Sequence, residues 1–498
     1  MMSVTENGVV KEKAAGAINP VDVLLRLVSG ARLHRGTDGR LYARVPVGGH
    51  HDFYELRSAA FRDWLVDAYF LEREEPPKTS AVSRVIAVLE AQARFQGTVR
   101  PVFVRVARED TTVSPAYYLD LGDPSGVAVE IRDSGWNVVE LPPGIEFCRP
   151  AGMMALPLPR TGGSVELLKQ YVNLDERDFQ LFVAWLTAAI RPDGPYPPLV
   201  IQGEQGSAKS TLARVARLLI DPHSAPLLGE PASTRDLMTT AVNVWLLSFD
   251  NVRVIAPWFS DALCRLAVGG GHASRSLFTD DQVTYLYTQR PIILNGIDDF
   301  VRRGDLVDRS LFLYMQPIRH SQRRAEEAFW ASFHADYPEI LGGLLDAVVM
   351  GLRTRPSVVL KQVPRMADFA HWGEAVGRGL GWPENAFLKS YSRNRGAATI
   401  ASVEDSMVAS TLLRQDLLPS HWKGSFAELY LLLTRVIGKH AGKLPGWPKS
   451  TAFFAREVHR VAPQLRLRGF SITFSRDSKA RKLIIKRNDG CFNRHYKY

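Results

Sequence analysis

The eight residues Gly203-Glu204-Gln205-Gly206-Ser207-Ala208-Lys209-Ser210 carry the densest chemical signal in the chain. Glycines let backbone N–H groups turn inward around phosphate oxygens, and a helix starting behind the loop would aim its positive end at the same charge. Lys209 is then placed to reach the β- and γ-phosphates of a nucleoside triphosphate, and the Ser210 hydroxyl to bind magnesium. ATP and Mg2+ are the expected ligands, and residues 203–210 with Thr211 the nucleotide-binding set. Ala208 stands where the strict pattern has glycine, so the sequence predicts a negative φ there, as at the start of a helix.

A second carboxylate for the metal should end a buried strand. Trp245-Leu246-Leu247-Ser248-Phe249-Asp250 supplies it, making Asp250 the magnesium-side acid. Asn251 follows where many ATPases carry a glutamate that polarises water, and an amide cannot accept that proton. Either a carboxylate elsewhere, with Asp261 and Asp280 as candidates, is the base, or water is only positioned and turnover is slow. Asn295, ending the apolar run Pro291-Ile292-Ile293-Leu294, suits a sensor that holds the lytic water. Arg309, between Asp308 and Ser310, is a candidate arginine finger acting on a neighbouring subunit, against a surface salt bridge to Asp305 or Asp308. Arg365 could touch phosphate within its own subunit.

These residues need a scaffold that presents strand ends side by side. Leu199-Val200-Ile201-Gln202 reads as a buried strand and Thr211 to Ile220 as a helix, and short apolar strands alternate with helices to about Pro317. That order predicts a mostly parallel sheet flanked by helices. Before it, Asp52 to Phe70 and Thr79 to Phe95 have helical spacing. Residues 102–106, 117–121, 127–131 and 136–140 read as strands of an N-terminal α+β domain. Two aspartates near these strands, Asp120 and Asp123, are too common in turns to argue for a primase, and a collar aiding ring assembly is the expected role. Leu167 to Ile190 reads as one or two helices and Ser321 to Lys389 as a helical lid. Ser392 to Ser406 is small and polar, a spacer before the last module.

The net charge of +10 is unevenly placed. From His421 to Tyr498 there are 17 Lys/Arg against 4 Asp/Glu, so a polyanion should meet the C-terminal segment first. Helices at Ser425 to Ile437 and from Pro448, with Ser450 as cap, precede strands 470–474 and 482–486 around a charged turn. Lys449, Arg456, Arg460, Arg476, Lys479 and Arg481 are the expected phosphate contacts. No apolar run approaches the ~20 residues that cross a bilayer, and residues 1–20 read as a mobile leader without a secretory core. The expected location is cytosolic, near the nucleoid. Cys148, Cys264 and Cys491 are too scattered for a disulfide framework or zinc site.

The order of the loop, Phe249-Asp250-Asn251, Leu266-Ala267-Val268-Gly269-Gly270-Gly271 with Ser274-Arg275-Ser276-Leu277-Phe278, and Ile293-Leu294-Asn295-Gly296 resembles AAA+ helicases of superfamily III. More narrowly it is similar to the phage- and plasmid-type primase-helicase group that includes the large poxvirus NTPase. In that group a Leu-Thr-Gly-Gly-Asp-like turn, then an arginine and an aromatic, leads into a hairpin that grips single-stranded DNA in a ring's pore. Arg275 matches the family arginine, Gly271 falls where the acid would be, and His272 stands beside it. His272 and Arg275 offer phosphate contacts and Phe278 a stacking face.

The resemblance, over roughly residues 160–380, implies ATP hydrolysis, hexamers and movement on DNA. The expected fold class is multidomain α/β: a leader (1–20), an N-terminal α+β collar (21–160), an AAA+ P-loop ATPase core (161–320), a helical lid (321–400) and a basic winged helix (401–498). The expected function is an ATP-dependent DNA helicase of a phage, plasmid or mobile element, working as a hexameric ring on single-stranded or forked DNA. An initiator, a loader or a defence switch ATPase without processive unwinding is the alternative.

Overall fold

The computed structural model describes residues 19–109, 115–275, 283–297, 300–404, 406–414, 418–438, 444, 446–476 and 481–487. Helix α1 (Pro20–Leu27) starts inside the stretch expected to be a leader, because the Asn19 side chain caps it by accepting the Val21 N–H; residues 1–18 lie outside the described residues. Strands β1 (Arg32–Gly36), β2 (Leu41–Val47) and β3 (His50–Glu55) pair antiparallel, helices α2 (Ala59–Arg73) and α3 (Thr79–Phe95) follow, and β4 (Thr98–Arg100) returns parallel to β1. The helix expected from Asp52 begins only at Ala59, since Ser58 caps it at the Phe61 N–H and residues 52–55 pair with β2. This first sheet and its helices close their own apolar core around Leu24, Phe61, Leu65, Val85 and Leu89.

A meander of β5 (Val106–Glu109), β6 (Ala116–Asp120), β7 (Val127–Arg132) and β8 (Gly135–Glu140) forms the second sheet. The strand expected over 102–106 shrinks to its last residue. Arg105 takes φ +66° and turns the chain, and its buried guanidinium donates to Asp221, Asp120 O and Met154 O. The structure also divides the expected collar. Val106, Tyr117, Leu119 and Val129 belong to the same apolar cluster as the central unit, whereas the first sheet has a separate one.

The central unit runs through a 3-10 turn (Val165–Gln170), α4 (Glu176–Ile190), β9 (Leu199–Gly203), α5 (Lys209–Ile220), α6 (Thr234–Asn243), β10 (Leu247–Phe249) and α7 (Pro257–Val268). It continues through the hairpin β11 (Gly270–Arg275) and β12 (Val283–Thr288), then β13 (Ile292–Gly296), α8 (Gly304–Val307) and β14 (Leu311–Met315). Strands β10, β13, β9 and β14 lie in that order, all parallel, and their apolar residues other than Tyr314 are buried on both faces.

Helices α9 (Glu326–Thr354), α10 (Ala367–Gly379) and α11 (Ala386–Glu404) follow. Phe333, Leu341, Leu345 and Trp372 share one apolar cluster with Leu199 and Leu212, so the expected lid is packed into the central core. Backbone closeness makes this possible at Gly342, where a Cβ would lie 1.7 Å from Arg160 O. The spacer expected over 392–406 is helix as far as Glu404, with Tyr391 and Asn394 buried against the core.

The last unit comprises α12 (Met407–Leu413), β15 (His421–Ser425), α13 (Phe426–Ile437), α14 (Thr451–Leu467), β16 (Phe470–Arg476) and β17 (Arg481–Arg487). Its sheet, β15-β17-β16, and helices close a core of their own around Leu429, Phe454, Val458 and Leu483. Ser425 and Glu428 form a capping box on α13, and Ser450 caps α14. Burial pushes the thiols of Cys148 and Cys264 up to about 12, so both are inert; Cys491 lies outside the described residues. Among the described residues no helix is long and apolar enough to cross a membrane.

Candidate functional site

Three adjacent parallel strands end on the same edge of the sheet, and their carboxyl ends bring the site together. From β9 comes the loop 203–210, from β10 Asp250 and Asn251, and from β13 Asn295. Residues 205–206, 208–211, 250–251 and 295–297 line one cavity of about 420 Å³. Gly203 sits where a Cβ would lie 2.4 Å from Met315 O on the neighbouring strand, so only glycine fits the exit from β9.

Ala208 corrects the expected conformation. It is left-handed, at φ 66° and ψ 30°, immediately before α5. The turn from β9 into α5 demands that geometry, which a glycine would adopt without strain. Lys209 begins the helix, and its Nζ donates to Gly203 O and Glu204 O, both at 2.7 Å. Burial lowers the pKa of Lys209, against the pull of Asp250.

The Ser210 hydroxyl donates to Asp250 Oδ1 at 3.0 Å, so a hydroxyl and a carboxylate meet where a divalent ion between them and a phosphate would be held. Asn251 is also left-handed, at φ 55°, a conformation in which asparagine is enriched. Its N–H donates to Asn295 Oδ1 at 3.0 Å. That bond fixes the Asn295 amide, whose Nδ2 is buried without a partner in a residue lining the cavity. Asp261 does not line this cavity; it lies on α7, paired with Arg303 at 2.9 Å. Asp280 lies outside the described residues.

The arginines gather on two carboxylates, and the Arg309–Asp305 pair is the salt bridge weighed against the finger role. Arg309 pairs with Asp305 one helical turn back; Arg365 bridges Asp305 at 2.8 Å and Asp308 at 3.1 Å; Arg395 also pairs with Asp308. Burial works against ionisation of Asp305, yet the Arg309 and Arg365 guanidiniums hold its carboxyl below the usual range. Arg365 is absent from the loop cavity. Arg323 lies beside the loop, its guanidinium 3.5 Å from the Cβ position of Gly206.

A larger cavity, about 640 Å³, shares Ala208, Ser210 and Thr211 with the loop and extends over Tyr171, Asn173, Ile318, Arg324, Phe329 and Trp330. Tyr171 and Trp330 each meet Phe329 edge to face. Sequence reasoning missed this wall, because its residues come from the end of the 3-10 turn at 165–170, the loop after β14 and α9. The only signal was the aromatic density of residues 329–337.

The hairpin expected after the glycine run is present. His272 pairs with Leu286 and Arg275 with Val283 on β11 and β12, while Phe278 lies outside the described residues. In the last unit Lys449 and Arg456 are exposed, and Arg456 lies over the Phe453 ring. Arg460 is engaged by Glu457 and Arg302 O. Arg476 and Arg481 face each other across the β16–β17 ladder, and Lys479 lies outside the described residues.

Comparison with solved structures finds the apo C-terminal region of NrS-1 at 11% identity and TM-score 0.39, covering 94% of this chain and 98% of that one. A second apo structure of the same region matches at 11% and 0.39, over 95% and 100%. JCV helicase bound to a thiazolopyridine acetamide matches at 13% and 0.22, over 45% and 67%. No curated protein matches. Residues 165–382 match the family described as actinomycete integrative conjugative element replication protein, and residues 408–493 the RepA C-terminal domain of the same elements. The central and last units, in this order, are thus similar to the replication protein of a mobile element.

Proposed function

We propose that the chain is a P-loop ATPase of the AAA+ kind that acts on DNA in the replication of a mobile element, working as a ring. The observation that carries this is the convergence of Lys209, the Ser210–Asp250 pair and Asn295 at the ends of three neighbouring parallel strands. The loop's backbone and the start of α5 would cradle the phosphates, and the aromatic cavity would take the nucleoside. Ser210 and Asp250 fit Mg2+, which supplies charge neutralisation on the phosphates when bound. The free Nδ2 of Asn295 would orient the attacking water. Asn251 cannot take its proton and Asp261 does not line the cavity, which leaves either Asp280 as base or water that is only positioned, with slow turnover.

Arg309 would serve a neighbouring protomer's phosphates, with Asp305 and Arg365 setting its approach. The β11–β12 hairpin would meet single-stranded DNA in the ring, and the last unit would act as a winged helix on the DNA backbone. Support for the DNA reading comes from the replication-protein family and the basic final segment. Slow turnover also favours a second reading, an initiator or switch that remodels DNA without processive unwinding.

Steady-state phosphate release with and without single-stranded DNA tests the ATPase. Lys209→Ala is expected to fall at least ~100-fold below the parent. Equal rates in the two proteins would refute it. Displacement of a strand from a fork separates the two readings.

A further inference from the structure

A pocket of about 390 Å³ opens on the first sheet, far from the nucleotide cavity in sequence, and three arginines converge on it. Arg32 and Arg44 stand directly opposite each other across the antiparallel β1–β2 ladder. Like charges so placed are destabilising. Arg100, ending β4, lines the same pocket. The pocket's carboxylate, Glu146, reaches Arg44 only at 3.9 Å, the outer limit of an ion pair, and burial pushes that carboxyl up despite the arginines. Among the described residues Arg32 and Arg100 form no ion pair.

The fourth member is His34, two residues from Arg32 on the same strand and only 5% exposed. Its Nδ1 bonds Thr98 Oγ1 at 2.8 Å, and its Nε2 is buried without a partner. Burial and the surrounding guanidiniums lower its pKa, so the ring is neutral at physiological pH. In the tautomer whose Nδ1 accepts from the Thr98 hydroxyl, Nε2 carries the proton and offers a donor. Nothing in the packing of the sheet requires three cations and an unpaired buried donor in one concavity. An oxyanion would satisfy all four at once. The pocket is too small for a duplex and large enough for a phosphate with one nucleoside attached.

We infer that this pocket binds a phosphate group carried by a mononucleotide or by the end of a nucleic-acid strand, held by Arg32, Arg44 and Arg100 with His34 donating from Nε2. It is independent of the ATPase reading, because none of the four lines the loop's cavity.

The test uses the full chain. Calorimetry with pyrophosphate and with deoxyadenosine monophosphate reports the free-nucleotide source. Anisotropy of a 3′-labelled oligonucleotide with a 5′-phosphate, against the same strand with a 5′-hydroxyl, reports the strand end. Arg32→Gln/Arg44→Gln is expected to weaken at least one phosphorylated probe about tenfold or more, as loss of a charge-assisted bond would, and to leave the 5′-hydroxyl strand within about twofold. Loss for the oligonucleotide alone identifies a strand end, and loss for the monophosphate alone a free nucleotide. Arg32→Gln by itself should melt no lower than the parent, since it relieves the Arg32–Arg44 repulsion, and ATP hydrolysis should be unchanged, which separates this result from that of Lys209→Ala. No difference for any probe, equal losses for both oligonucleotides, or a lower melting temperature for Arg32→Gln would overturn the inference.

Discussion

Replacing Ala208 by glycine reads out the backbone of the loop. At φ 66° an L residue is strained by about 1–2 kcal/mol, which glycine is spared. Against this, glycine's greater freedom in the unfolded chain costs about 0.4–1 kcal/mol, and the half-buried methyl, packed on the central core, takes back a further ~0.3 kcal/mol. The balance is about 0.5 kcal/mol of stabilisation. Were the residue right-handed, as the sequence predicts, the same change would cost about 1 kcal/mol. For a unit of roughly 200 residues each kcal/mol moves Tm by about 2–4 °C. A chain whose buried apolar residues divide into several separate clusters is not treated as one two-state system, so the transition to follow by calorimetry is the one that ATP shifts. A rise of about 1–2 °C with nucleotide affinity retained is expected. A fall of 2 °C or more would refute the left-handed assignment and the loop geometry built on it.

Asn295→Ala should lower kcat about 100-fold while ATP affinity stays within about threefold, because in the proposed reading its unpartnered Nδ2 orients the attacking water and does not hold the nucleotide; equal loss of binding would make Asn295 a structural residue. Arg105→Ala should destabilise the chain by about 3 kcal/mol in urea titration, since Asp221 is buried beside it at 2.9 Å and would keep only Arg217 at 3.5 Å and two backbone N–H donors. An unchanged midpoint would count against the role of that pair in fastening the second sheet to the central unit. Lys449→Ala/Arg456→Ala should weaken DNA binding and reduce the salt slope by about one for each phosphate no longer neutralised; a slope equal to the parent's would remove these two from the interface.

What could be read from the residues in order was whatever is encoded within one short stretch. The run Leu199 to Ile220 specifies strand, loop and helix by local apolar content, glycine placement and helical spacing, and β9 and α5 bracket the loop as that run implies. Asp250 and Asn295 were legible for the same reason: each closes a short apolar run, and parallel strands of that kind end on one edge. The left-handed state of Ala208 was not legible, because Ala is ordinarily right-handed and the distortion is imposed by the path between β9 and α5. Nor were β1, β2 and β3, whose arginines, histidines and proline disguise the alternation of strands.

By itself the sequence determined where the glycine-rich loop lies between strand and helix and where positive charge accumulates, since both depend on residue type and close spacing. Tertiary structure alone decided which distant groups share a surface. It set Arg309, Arg365 and Arg395 on the two carboxylates of Asp305 and Asp308, and Arg323 beside the loop. It joined the second sheet to the central core and brought Arg32, Arg44, Arg100 and His34 into one pocket. The physical reason is that burial of apolar faces chooses how elements pack, and charged side chains then find partners among whatever that packing has placed within reach.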